Sequence, residues 1–257
     1  MKKIGLLAAA AAVAVAGLPA TANAGGYVGL TYDSTDVSSS DVDTWQGEAA
    51  FGHAAGGWGF QVDGSFGNTD AGSGSDFDHY GLAGHLYWQG GSWRVGGVIA
   101  ATNLDAGGGS DVDEIVYGAE GTFDFGPSTV FGWSGTFGEV DSGGSDIDSW
   151  NLDASLNHYF SPNFRIGGTL GTGNLEASGS DVDTFTAGIG GEFQLSSLPL
   201  SFTAGYSHFE VDSSGLDSDS FTIGARWNFG GGTLQERDDA TPFDTRTALF
   251  GRLFDIR

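Results

Sequence analysis

The chain has 257 residues, with 9 lysines and arginines against 33 aspartates and glutamates and a formal net charge of −24. This charge excludes binding to nucleic acid or to an anionic membrane surface through basic patches. The absence of cysteine excludes disulfides, thiolate metal sites and a cysteine nucleophile. With 46 glycines and 13% aromatic residues, the composition favours an ordered chain over a disordered acidic one.

The first segment, residues 1–24, has the pattern of a secretory signal peptide. Lys2 and Lys3 precede an apolar run, and Ala22-Asn23-Ala24 matches a small-residue cleavage site. A transmembrane anchor is the alternative, but about 15 apolar residues are fewer than the ~20 that a membrane-spanning helix needs. We therefore expect export, with a mature chain that contains seven arginines and no lysine.

Residues 25–229 contain a repeat whose period is 35 residues. Ser-Asp-x-Asp recurs five times at this spacing, and a degenerate copy, Leu216-Asp217-Ser218-Asp219, follows 36 residues after the fifth. An array without length drift indicates one supersecondary unit used repeatedly. The five regular copies begin at Ser40, Ser75, Ser110, Ser145 and Ser180.

Within each repeat, apolar and polar residues alternate with the period of two that is typical of a half-buried strand. Short turn signals, such as Gly126-Pro127-Ser128 and Ser161-Pro162-Asn163, alternate along the chain with the acidic Gly/Ser/Asp motifs. Each repeat therefore predicts a hairpin of two strands of about 10 to 12 residues. The predicted fold is all-β: an antiparallel up-and-down transmembrane β-barrel of about 12 strands, built from six hairpin repeats, with a short C-terminal helical tail.

Aromatic residues are sorted into two levels along the strands. One level follows the acidic motif, as at Tyr117 and Phe185, and the other lies near the short turns, as at Phe125 and Phe193. Eight residues separate them, which is about 26 Å along a strand. Two aromatic belts indicate the interfaces of a transmembrane barrel, whereas the alternative of a secreted solenoid or sandwich would place its aromatic residues in a core.

These features resemble the Gram-negative outer-membrane β-barrels, and among them the porin-like proteins. The resemblance covers residues 25–229 and includes a last strand, Ser220 to Phe229, that alternates and ends in an aromatic residue. It implies a location in the outer membrane, contact with lipid and lipopolysaccharide, and recognition of the strand ending at Phe229 by the barrel-assembly machinery. Two features depart from the family pattern: 28 residues follow Phe229, and large porins have 16 strands.

The inward face of the barrel is the candidate functional site. A barrel of about 12 strands lined by Gly, Ser and Thr predicts a narrow pore for passive diffusion of small hydrophilic solutes, and six acids against three arginines predict a cation preference. The alternatives are charge pairs that brace a plugged barrel, and a non-conducting structural or adhesive barrel with acidic surface loops. The predicted pore-lining residues are Glu48, Asp63, Arg94, Glu120, Asp124, Asp153, Arg165, Glu192 and Arg226.

The acidic motifs are also candidate cation sites. Carboxylates two residues apart can supply oxygen ligands to Ca²⁺ or Mg²⁺, and diffuse binding at the outer loops could link the protein to lipopolysaccharide. The alternative is a set of solvated loops whose Gly and Ser serve turn geometry. The candidate ligands are Asp76, Asp78, Asp111, Asp113, Asp146 and Asp148. No other cofactor is expected, and five scattered histidines without a nucleophile predict no enzymatic activity.

The last 28 residues, 230–257, form a separate element. Thr241 and Pro242 predict the start of a helix whose apolar stripe contains Leu249, Phe250, Leu253 and Phe254. This tail could lie under the barrel mouth, on the inner leaflet or inside the pore as a plug, or it could be disordered.

Overall fold

The computed structural model describes residues 24–38, 40–72, 76–105, 111–143, 146–177, 179–212, 215–244 and 249–253. Nearly all of the predicted signal peptide lies outside these ranges, as do Ser75, Ser110, Ser145 and Phe254. The described residues form twelve strands and two short helices. The strands are β1 (Ala24–Val37), β2 (Ser40–Ala55), β3 (Trp58–Asp70), β4 (Asp76–Gly90), β5 (Trp93–Asp105), β6 (Asp111–Asp124), β7 (Thr129–Asp141), β8 (Asp146–Ser161), β9 (Phe164–Ala177), β10 (Ser180–Gln194), β11 (Leu200–Val211) and β12 (Leu216–Phe229).

Each strand pairs antiparallel with its neighbours in sequence, and β1 pairs with β12, so that the sheet closes. Closure satisfies the backbone donors and acceptors of every strand, which is what a sheet needs in order to cross a bilayer. The predicted up-and-down barrel of twelve strands is confirmed. One end carries the short turns, such as residues 56–57 and 91–92, and is called the tight-turn end; the other is called the acidic end.

The outer surface of the barrel is apolar. Large side chains such as Leu82, Leu86 and Ile99 are more than half exposed, which is the reverse of their placement in a water-soluble protein. Both predicted aromatic levels lie on this surface, with Tyr117 near the acidic end and Phe125 near the tight-turn end. An apolar band between aromatic girdles is the surface of a barrel that crosses lipid.

The strands are 12 to 16 residues long, longer than the predicted 10 to 12. The difference arises because the Asp-x-Asp motifs extend the strands and do not form loops. β4 begins at Asp76, for example, with Asp76 opposite Asp70 and Asp78 opposite Asn68. Alternation within the motif turns both aspartates outward and the residue between them inward.

The helices of the tail are α1 (Leu234–Ala240) and α2 (Phe250–Leu253). Thr233 is the N-cap of α1: its side chain accepts from the backbone N–H of Glu236, while the Glu236 carboxylate accepts from the backbone N–H of Thr233. The predicted helix start at Thr241 is wrong, because Thr241 is the C-cap of α1. Within the described ranges, no helix is long and apolar enough to cross a membrane.

Candidate functional site in the barrel lumen

The side chains of all nine predicted pore-lining residues lie inside the barrel, and each forms a charged contact there. Arg94 lies 3.3 Å from Asp124, and the imidazole of His85 lies between Asp63, at 2.8 Å, and Glu120, at 2.6 Å. Such pairing neutralises charges that the sheet removes from bulk water. The remaining predicted residues contact one another or the C-terminal tail, residues 230–257.

A buried ion cluster lies near the tight-turn end. Glu192 accepts from Arg226 at 3.0 Å and from Arg165 at 3.3 Å, and Arg226 also donates to Glu48 at 2.6 Å. The tail completes the cluster, since Arg237 of α1 donates to Glu192 at 2.8 Å. Both side chains of this last pair are at most 2% exposed, so the tail is bound by a fully buried charge pair.

α1 lies against β1 and β2 at a point where both strands carry glycine. A Cβ atom on Gly52 would lie 1.8 Å from the carbonyl oxygen of Ala240, and one on Gly25 would lie 3.1 Å from the Ala240 Cβ. No other residue fits at position 52 while α1 keeps this position. The two glycines thus allow the helix to contact the strand backbone directly.

Further contacts join α1 to the strands on the other side of the lumen. The hydroxyl of Tyr159 donates to Asp238 at 2.7 Å, and Arg94 lies 3.1 Å from Asp239. Backbone N–H groups at the start of the helix donate to Asn163 Oδ1 and to the carbonyl of Pro162 in a tight turn. α1 therefore spans the tight-turn opening of the barrel.

The chain continues from α1 into the middle of the lumen. The ring of Phe243 stacks on the imidazole of His85, with centroids 5.6 Å apart and an interplanar angle of 9°. The Gln61 side chain donates to the carbonyl of Phe243 at 2.8 Å and accepts from its N–H at 3.1 Å. These two hydrogen bonds satisfy the backbone N–H and carbonyl of Phe243, as pairing with a neighbouring strand would.

At the acidic end, inward-facing apolar side chains of β4 to β12 form a band along this part of the wall, which we call the apolar collar. Leu249 and Phe250 of the tail are buried within it, and the N–H of Leu249 donates to Glu114 at 2.6 Å. Four collar members occupy the variable position of the Asp-x-Asp motif, which gives that position a packing role. The collar consists of Phe77, Leu104, Val112, Val140, Ile147, Leu175, Val182, Phe209, Val211 and Leu216.

A second arginine of the tail binds the wall close to the collar. Arg252 donates to both carboxylate oxygens of Asp153, at 2.7 and 2.8 Å, and to the hydroxyl of Thr186 at 2.6 Å. Its side chain is 8% exposed. The tail is thus held by charge near the tight-turn end, and by charge and apolar packing near the acidic end.

The tail leaves part of the lumen open. A cavity of about 280 Å³ lies between the tail and the wall formed by β7 to β11. Glycines and small hydroxyl-bearing side chains line this wall. They include Gly132, Ser134, Thr136, Ser155, Gly167, Thr169, Gly188, Gly190, Thr203, Gly205 and Ser207.

The candidate cation ligands lie on the outer surface, above the aromatic level of the acidic end. Asp111 is opposite Asp105, and Asp146 is opposite Asp141. Asp78 and Asp113 each accept a hydrogen bond from an asparagine of the preceding strand, at 3.0 and 2.7 Å. Asp148 lies opposite Glu139 and Glu176. Among the residues that the structure describes, no group of three potential ligands could hold a metal ion.

The tail residues were not predicted to line the lumen, although a plug was one of the predicted positions of the tail. The acidic motif was predicted to form loops, so the collar was not predicted. A signal for the collar was present, since Phe77, Val112, Ile147 and Val182 are apolar and alternate with aspartates at the 35-residue period.

Together, the closed antiparallel sheet, the exposed apolar band and the polar lumen define an outer-membrane β-barrel. No known protein-family profile and no curated protein matches the sequence. Solved structures of outer-membrane proteins share its fold. An outer-membrane channel from Pseudomonas putida F1 is 11% identical with a TM-score of 0.61, covering 82% of this chain and 97% of that chain.

Two further structures extend the comparison. The translocator domain of the autotransporter NalP from Neisseria meningitidis is 13% identical with a TM-score of 0.52, covering 88% of this chain and 96% of that chain. The KdgM porin, solved in complex with disordered oligogalacturonate, is 8% identical with a TM-score of 0.52, covering 79% and 99%. At these identities the similarity shows a shared barrel architecture.

Proposed function

We propose that this protein is a porin-like outer-membrane channel for passive diffusion of small hydrophilic solutes, that it prefers cations, and that its own C-terminal tail closes it. The observation that carries the proposal is the lumen wall, which is polar and lined by small side chains where the tail does not contact it. Twelve strands lie between the eight that enclose little more than side chains and the 16 that leave a wide aqueous channel.

The charge of the wall supports the cation preference. In the described part of the strands, eight inward carboxylates face three arginines, while the tail brings Arg237 and Arg252 to two of those carboxylates. Withdrawal of the tail would remove these two arginines together with the tail acids Asp238 and Asp239, and the strands would keep their own excess of carboxylates over arginines. Rings of carboxylates favour cations. The eight are Asp33, Glu48, Asp63, Glu114, Glu120, Asp124, Asp153 and Glu192.

The positions of the two helices support closure by the tail. α1 spans the tight-turn opening, and Leu249 and Phe250 fill the apolar collar at the acidic end. A solute would have to pass both constrictions. We infer that the channel conducts when the tail leaves the lumen and that Gly230 to Gly232 form the hinge, since Gly230 has a φ of +83° that favours glycine.

The same proposal assigns the orientation and the partners. Residues 1–24 would be removed on export, residues 25–229 would form the barrel and residues 230–257 the tail. The acidic end would face outward, toward lipopolysaccharide. The barrel-assembly machinery would recognise the strand that ends at Phe229. We propose no catalytic role for the lumen.

The second candidate is a closed structural or adhesive barrel that does not conduct. The fully buried contact between Arg237 and Glu192 favours it, because breaking a buried charge pair typically costs about 3–5 kcal/mol. On this view the tail would be a permanent part of the interior.

Single-channel recording before and after cutting the tail distinguishes the two candidates. A glutamyl endopeptidase that cuts the folded chain after Glu236 would break the covalent link between the barrel and residues 237–257, the fragment that carries Arg237 and Arg252. We expect low conductance from the intact chain and discrete, cation-preferring conductance after the cut. In the matched Glu236→Gln chain, which keeps the capping geometry but lacks the cleavage site, the protease should change nothing. A cut barrel that has lost its tail fragment and still does not conduct would favour the structural candidate.

A further inference from the structure

The tail binds the lumen through two arginines, and the wall provides a built site for each guanidinium group. The first, which we call the lower socket, combines the Glu192 carboxylate, the Asn228 side-chain oxygen at 3.1 Å and the ring of Tyr27, whose centroid lies 4.9 Å from the Arg237 guanidinium carbon. Glu192 and Asn228 are each 2% exposed. The second, the upper socket, combines Asp153 and Thr186.

The chemistry of the lower socket matches a guanidinium group better than an ammonium group. A planar guanidinium presents donors in one plane to two acceptors while its face stacks on an aromatic ring. In Arg237, Nη1 donates to Asn228, Nη2 donates to Glu192 and the guanidinium carbon lies over the ring of Tyr27. An ammonium group lacks the planar fork and the stacking face. The strands supply these three contacts, and Arg237 also lies 2.6 Å from its neighbour Asp238 in the tail.

The sockets are part of the wall and remain there when the tail leaves. Asp153 in the upper socket would lose its bidentate partner Arg252, whereas Glu192 in the lower socket would lose Arg237 and keep Arg226 and Arg165. In the lower socket, Asn228 would also lose the donor that its side-chain oxygen accepts from. We infer that the open lumen binds small solutes that carry a guanidinium group, with free arginine as the simplest probe, and that the tail competes with them for the two sockets. The inference names a solute class for the proposed channel and therefore rests on that function.

Competition provides a test on the intact chain that does not need conductance. A solute that binds the sockets only when the tail is displaced should increase the population of displaced tail by a factor that grows with its concentration. Cleavage after Glu236 by a glutamyl endopeptidase measures that population, because Glu236 lies within α1. L-lysine at the same concentration and ionic strength is the matched solute, since it carries the same net charge without a guanidinium group.

We expect L-arginine to accelerate cleavage at Glu236 at least fivefold more than L-lysine does, after correction with a free peptide of residues 233–244. In the Asp153→Asn chain the ratio of the cleavage rate with arginine to that with lysine should decrease. In the Asp148→Asn chain, which loses the same charge from the outer surface, this ratio should stay at its wild-type value. Direct binding of labelled arginine to the cut barrel, measured by equilibrium dialysis against labelled lysine, provides a second readout should Asp153→Asn fail to fold.

Equal acceleration by arginine and lysine, or equal binding of the two by the cut barrel, would overturn the inference. The sockets would then attract cations through their negative charge without recognising the guanidinium group. The proposed channel would survive that result, because conductance of the cut barrel does not depend on guanidinium recognition. Conversely, a cut barrel that binds arginine and does not conduct would contradict the channel and leave the sockets intact.

Discussion

Individual residues determine how closely the tail can approach the wall. Gly52 is the clearest case, because its missing side chain is the space that the carbonyl of Ala240 occupies. Phe250 acts at the other end, where its ring is 6% exposed within the apolar collar. Each residue can be altered without removing a charge, so the contribution of packing can be separated from that of the ion pairs.

The Gly52→Ala variant should displace α1 from β1 and β2. A methyl group at 1.8 Å from a carbonyl oxygen cannot be accommodated, and overpacking of this kind costs about 1–3 kcal/mol. We expect trypsin to cut after Arg237, which is 1% exposed in the native chain, roughly tenfold faster than in the wild type. Gly84→Ala is the matched control, because a Cβ there meets no atom within 4 Å, and an equal increase in both variants would contradict the proposed contact.

The Phe250→Ala variant should loosen the tail at the collar. Removing a buried phenylalanine ring typically costs about 3–5 kcal/mol, which corresponds to a factor of 100 or more in the population of the open form. Tryptic cleavage after Arg252 should therefore accelerate more than cleavage after Arg237. Phe221→Ala, on the exposed aromatic girdle, should leave both rates unchanged. If Phe250→Ala leaves the Arg252 rate unchanged, the collar does not hold the tail.

The strands and their faces could be predicted at the scale of elements, because a barrel strand carries its pattern locally. Alternation identified both faces, and short turns separated the hairpins. The acidic motif was assigned to loops because Gly, Ser and Asp are typical of turns, although Asp76-Phe77-Asp78 continues the alternation of β4. The position of the tail could not be predicted, since the partners of Arg237 and Arg252 lie on β8, β10 and β12 and are brought together only by closure of the sheet.

The extended motif also sets carboxylates opposite one another across the strand pairs of the acidic end. Like charges directly opposite one another, such as Asp105 and Asp111 or Asp141 and Asp146, destabilise a strand pair, and divalent cations would relieve this repulsion. We expect chelation of divalent cations to lower the thermal transition of the folded barrel, and Asp141→Asn combined with Asp146→Asn to reduce that loss. Asp153→Asn, inside the lumen, should not reduce it. A transition that chelation does not move would contradict cation binding at this end.

At the scale of the whole molecule, the barrel and the tail form one interior, which contains the buried ion cluster, the apolar collar and the open polar wall. The strands contribute an excess of carboxylates, and the tail contributes two arginines that bind wall carboxylates and two aspartates that bind wall arginines. The negative charge of the chain is therefore divided between the outer surface of the acidic end and the lumen. On the proposed function, the charged residues of the lumen hold the tail in place and also give the open channel its preference for cations.

Ion conductance through a planar bilayer, recorded on the same preparation before and after cleavage at Glu236, tests the central claim most directly. We predict that the intact chain conducts little and that loss of the tail fragment produces discrete channels with a reversal potential that shows cation preference. Channels that prefer anions, or a folded barrel that has lost its fragment and passes no current, would contradict the account.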